Sequence, residues 1–238
     1  MAPFVRTTVS DEIYSALRQE ILALRLFPGE ELNLQQLGEQ MQVSRSPIRD
    51  ALLRLAGDTL VEIFPQRGTR VSLIDLKAVE EERFLRKSLE QSAVTLLIRQ
   101  GLPAPILQMQ EAIVLQERAM AADDFAAFLG ADDRFHEAIF KAVSLDRIWQ
   151  LIIAQGGNYH RIRLLSFFEK NVTSQIIAEH TKMVEALKKG DLGRMLTLEE
   201  RHLSKLLQEQ QQIVERYPHY FATAATPLLW GDMKKESS

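Results

Sequence analysis

The chain has 238 residues, 46% of them hydrophobic, with a net charge of −3 and no cysteine. That length suits two modest domains or one large one. The missing sulfur excludes disulfides and thiolate metal sites and fits a reducing cytoplasm. No apolar run is long enough to span a membrane, and no signal-peptide core opens the chain, so a cytoplasmic protein without a membrane partner is expected.

The first helix is predicted from an N-cap at Ser10 through Ile13, Leu17, Ile21 and Leu24, ending at Phe27-Pro28-Gly29. Asn33 then caps a short second helix whose inner side is Leu34, Leu37 and Met41. A tight turn at Gln42-Val43 leads into a third helix, which Ser44 is expected to cap through its hydroxyl. There Ile48, Ala51, Leu52 and Leu55 recur at i, i+3, i+4 and i+7, while Arg45 and Arg49 share the opposite side. Such a helix suits the major groove of DNA, whereas taken alone it would serve equally as an ordinary surface helix.

The segments 60–64 and 69–73 read as strands around Pro65-Gln66-Arg67-Gly68, a hairpin with a basic tip. Three helices and this hairpin make a winged helix-turn-helix over residues 1–75. Its eight arginines face ten carboxylates, but five of those arginines fall between positions 45 and 70. A local cationic face of this kind is what DNA binding needs.

The order Pro28-Gly29-Glu30, Val43-Ser44-Arg45-Ser46-Pro47-Ile48-Arg49-Asp50, then Arg67-Gly68-Thr69 resembles the DNA-binding domain of the GntR family of bacterial regulators. The resemblance implies that Arg45 and Arg49 contact guanine edges, that Ser44 and Ser46 hold phosphates, and that Arg67, Gly68 and Thr69 form the wing tip. Gln42 stands where the family usually has glycine, and Gln35 where some members place a DNA-contacting arginine.

From Leu76 onward helical patterns alternate with short breaks, giving six helices of bundle length in an all-α antiparallel domain at 76–224 and an irregular tail at 225–238. The whole is a mainly α protein. Within the tail Leu228, Leu229 and Trp230 could pack.

Three of these helices place polar residues on apolar stripes. Asp132 and His136 interrupt Phe125, Leu129, Ile139 and Val143; His180 interrupts Ile176, Met183 and Leu187; His202 interrupts Met195, Leu198 and Leu206. Buried polar groups need partners, and a divalent metal would satisfy all four. An Asp-His-His-His set suits zinc, nickel or another borderline cation. It also resembles some catalytic metal sites. An enzyme would need a general base nearby, however, and Glu137 and Glu179 should point off their stripes.

This half is similar to the FCD ligand-binding domain of the FadR subgroup, matching its Asp-x-x-Phe-His at 132–136 and its later histidines at 180 and 202. The resemblance implies a metal-containing effector pocket and argues against an acyl-CoA ligand. Arg86 in Arg-x-x-Leu-Glu has the family role of binding an effector carboxylate; an ion pair with Glu90 is the equal alternative. Gly156-Gly157 marks a kink inside a helix, after which Asn158, with Arg161 a weaker candidate, is expected to line the pocket. His160 and His219 are read as non-ligands. The expected function is a non-enzymatic, dimeric, metabolite-responsive repressor. It would bind double-stranded operator DNA at an inverted repeat and respond to a small organic acid at the metal.

Overall fold

The computed structural model describes residues 8–169 and 171–222, without the side chains of 206–209. Helix α1 (Val9–Leu22) is capped by Thr8 rather than Ser10: Thr8 and Asp11 form a reciprocal capping box, which fixes the start two residues earlier. Asn33 caps α2 (Leu34–Met41) as expected, its side chain accepting from the amides of Gln35 and Gln36. Gln42 ends α2 in the left-handed region, at φ 55°. That is why the position favours glycine and why glutamine stores strain there. Ser44 precedes α3 (Arg45–Gly57) in extended conformation, but its hydroxyl makes no cap bond. It is left exposed and free for another acceptor.

Ile48, Ala51, Leu52 and Leu55 are buried against Ile13, Leu17 and Ile21, as their spacing requires. The wing is a three-stranded antiparallel sheet, β1 (Glu31–Leu32), β2 (Val61–Phe64) and β3 (Gly68–Val71), with β3 in the centre. β1 was not expected, because two residues carry no periodicity; it is held by pairing Glu31 with Arg70 and Leu32 with Thr69.

Seven helices follow among the described residues: α4 (Leu76–Arg99), α5 (Ile106–Ala121), α6 (Phe125–Ala142), α7 (Asp146–Gln155), α8 (Gly157–Ser166), α9 (Val172–Lys188) and α10 (Leu192–Arg216). The expected six become seven because Gly156-Gly157 breaks the helix instead of kinking it. A Cβ on Gly156 would stand 2.9 Å from the Ile152 carbonyl, and one on Gly157 2.8 Å from Leu60 Cδ2. The pair thus lets α8 begin against the base of the wing. Two apolar clusters fill the bundle. One is centred on Ala93, Phe135, Phe140 and Trp149, the other on Phe128, Ile162 and Leu165.

The junction between wing and bundle is tightly held. Arg161 Nη1 donates to the Ser72 carbonyl (2.6 Å), and Asn158 Oδ1 accepts from the Asp75 amide (3.1 Å). Ile74 pairs with Phe221, beyond a short 3-10 turn at Pro218–Tyr220. No described helix is long and apolar enough to cross a membrane. The tail from 225, with Leu228, Leu229 and Trp230, and the side chain of Leu206 lie outside the described residues.

Candidate metal centre and nucleic-acid interface

Helix α6 carries Asp132 and His136 one turn apart; α9 brings His180 and α10 brings His202. One ligand atom from each lies within 4.8 Å of every other. A shell of about 2.1 Å radius separates opposite donors by at most about 4.2 Å, so an ion requires only a small contraction. Asp132, His136 and His180 are buried and His202 is half-buried. The Nε2 atoms of His136 and His180 are buried without any hydrogen-bond partner. Left so, each would cost about 1–3 kcal/mol. The residues therefore fit a cation.

Each imidazole is oriented from behind. His180 Nδ1 meets Gln116 Oε1 at 2.8 Å and His202 Nδ1 meets Glu179 Oε2 at 2.9 Å. His136 Nδ1 lies 2.8 Å from Glu90 Oε2, off the line of a good hydrogen bond. With protons on Nδ1, the Nε2 lone pairs are presented inward. Burial pushes His180 well below the usual histidine range and His136 below it, which favours neutral, ligating rings. Burial alone would raise the Asp132 carboxyl, but the adjacent Arg163 guanidinium and the histidines hold it far below the ordinary carboxylate range.

Arg163 donates to Asp132 and, at 3.0 Å, to Asp133. It borders a cavity of about 40 Å³ that also touches Asp132, His202, Tyr159 and Lys205. A larger groove of about 650 Å³ between α5 and α6 includes none of the four candidate ligands, so the small cavity is the one tied to the chemistry.

Arg86 is buried and bonds Glu90 at 2.7 Å, while its Nη2 stands 3.7 Å from Asp132 Oδ2 without a hydrogen-bond partner, and it does not line the cavity. Asn158 and Arg161 are buried but face the connector, away from the four candidate ligands: Asn158 accepts from Asp75 and donates to Glu82, and Arg161 grips Ser72. Asn158 is inward as its position on the helix suggests, but the interior it enters is the domain junction. Glu179 also departs from expectation. It is buried and holds His202 rather than pointing away.

Gln116, Glu90 and Arg163 were missed as supports of the centre because each reaches it from another helix, a relation that spacing along one helix does not report. Glu199 is wholly buried with neither oxygen partnered, and burial, then neighbouring Glu90, drives its pKa well above the usual range.

At the other end of the molecule Ser44, Arg45, Ser46 and Arg49 are exposed on the start of α3, as are Arg67 and Gly68 at the wing tip. Gly68 adopts φ 101°, a conformation side chains rarely take. Gln35 is on the same side, 3.4 Å from Arg45. Thr69 is a correction to the wing-tip set: alternation along β3 turns it inward with Val71, and it is buried.

Residues 83–205 match the family described as FCD domain, and residues 9–71 match bacterial regulatory proteins of the gntR family. A relative from Streptomyces ambofaciens, named an uncharacterized HTH-type transcriptional regulator in unstable DNA locus, is 31% identical over 91% of each chain. The HTH-type transcriptional repressor RspR of Escherichia coli is 25% identical, covering 90% of this chain and 94% of its own. Among solved structures, a GntR regulator described as putative from Rhodococcus superposes with a TM-score of 0.72 at 21% identity, covering 87% of this chain and 98% of its own. The chain belongs to the GntR family of transcriptional regulators, with an FCD domain after its winged helix-turn-helix. Its family and relatives are regulators of transcription, not enzymes.

Proposed function

We propose that the chain is a dimeric repressor whose grip on an inverted-repeat operator is set by a small carboxylate bound at a divalent metal. Supporting this most directly are the two buried, unpartnered Nε2 atoms aimed at the Asp132 carboxylate. Asp132, His136, His180 and His202 would hold zinc or nickel, and the ion would supply a Lewis-acid anchor for an anion. Arg163 is the guanidinium beside the cavity, and its fork suits an effector carboxylate. Arg86 backs the site by holding Glu90 under His136. The cavity of about 40 Å³ holds only a few water-sized occupants, which favours a compact acid. The repressor sign is carried by the name of the relative RspR.

In this reading residues 1–75 bind DNA and residues 76–224 bind metal and effector. Arg45 and Arg49 read bases, Ser44 and Ser46 hold phosphates, and Arg67 and Gly68 enter from the wing. Effector acts by its differential affinity for DNA-competent and DNA-incompetent arrangements. Operator affinity should fall steeply with salt, because phosphate contacts release counterions. Arg49→Ala should lose about 1–3 kcal/mol of operator binding, roughly 5- to 150-fold. Fluorescence anisotropy on the operator checks this, and unchanged affinity would remove Arg49 from the reading role. A thermal-shift screen of small carboxylates with and without divalent metal tests the effector site. A carboxylate that raises the melting temperature only in the metal-loaded protein is the expected result, and stabilisation independent of metal would count against the site.

A further inference from the structure

Helix α4 leaves one face uncovered by any described helix. At 100° per residue, Glu81, Phe84, Ser88, Ser92, Leu96 and Arg99 fall within one third of its circumference, over about 27 Å. Phe84 is 67% exposed and Leu96 38%. Between them the surface is low and chemically quiet, because Ser92 and Thr95 turn their hydroxyls back onto the carbonyls of Ser88 and Gln91 (2.8 and 2.7 Å). An exposed phenylalanine and leucine flanking small residues form an apolar face of the kind that marks an interface.

We infer that this face pairs with the same face of a second copy, antiparallel, about a twofold axis passing near residue 90. The sequence is self-complementary in that register. In an isologous contact residue i meets j and j meets i. Antiparallel pairing about position 90 sets Phe84 against Leu96, Ser88 against Ser92, and Glu81 against Arg99, each twice. Glu81 and Arg99 are both exposed, and their opposition supplies charge complementarity at both ends of the contact. The serines let the two helices approach closely at the centre.

The α4 assignment rests on the dimer proposed above and adds the surface that makes it.

Light scattering after size exclusion should give the full-length protein twice its 27.2 kDa chain mass. Phe84→Glu and Glu81→Arg should each halve that mass, with helical circular dichroism unchanged as a control for folding. Glu81→Arg combined with Arg99→Glu should restore the dimer, since the reversed charges again face each other. Because the chain has no cysteine, Ser88→Cys with Ser92→Cys should crosslink copies on oxidation. A folded Phe84→Glu protein that keeps twice the chain mass, or a double charge reversal without rescue, overturns the surface while leaving the dimer. A monomeric parent protein overturns both.

Discussion

Replacing His180 by alanine is expected to strip the protein of its metal and of its response to chelator. His180 is wholly buried, stacked on Phe135 at 3.8 Å between ring centres, and one of the two rings whose inward nitrogen has no protein partner. A metal held at 100 times its dissociation constant stabilises a fold by about 2.7 kcal/mol. For a chain of this size each kcal/mol moves the melting temperature by about 2–4 °C. A chelator should therefore lower the melting temperature of the parent by about 5–11 °C and leave His180→Ala unmoved. Elemental analysis should find about one ion per parent chain and none in the variant. The comparison is made with and without chelator within each protein, because the variant also loses the stacking on Phe135 and the bond to Gln116. A parent protein without metal, whose melting ignores chelator, would reduce the cluster to a histidine set packed for structure.

The four candidate ligands were legible in the sequence because polar residues on an apolar helical stripe are expensive there unless something satisfies them. Asp132, His136, His180 and His202 each stand where spacing demands a hydrophobe, and the fold brings them together. The same logic misdirects at Asn158 and Arg161. Periodicity says that a side chain faces inward but not which interior it enters, and α8 runs between two: Arg163 reaches Asp132 while Arg161 reaches Ser72. The DNA-binding helices were legible from their stripes and turn residues. The strand at Glu31–Leu32 was not, since its pairing with β3 is a contact across nearly forty residues of sequence. Thr69 shows the limit of a motif. The letters of a wing tip fixed the hairpin, while strand alternation decided which of them face out.

Arg161→Met is expected to loosen the joint between the two domains while leaving the metal centre intact. Arg161 is fully buried, and burial lowers its pKa to about 10, so the guanidinium resides there at a cost. It is held by three acceptors: the carbonyls of Ser72 (2.6 Å) and Gly157 (3.2 Å) and Asn158 Oδ1 (2.9 Å). Methionine keeps much of the volume and removes the desolvation cost, but it leaves the buried Ser72 carbonyl without this charged donor. Losing a bond from a charged group to a buried acceptor costs about 1.5–3 kcal/mol, which the apolar substitute returns only in part. A net destabilisation of about 2 kcal/mol, or about 4–8 °C, should result. The informative control is Arg163→Met, two residues along the same helix. It removes the partner of Asp132 and should disturb metal retention, whereas Arg161→Met should retain the metal. Calorimetry and elemental analysis on the two variants separate these effects. Equal metal loss in both would mean that α8 acts as a single support for the centre, and an unshifted melting point in Arg161→Met would mean that the strap pairing at Ile74 and Phe221 is enough to hold the connector.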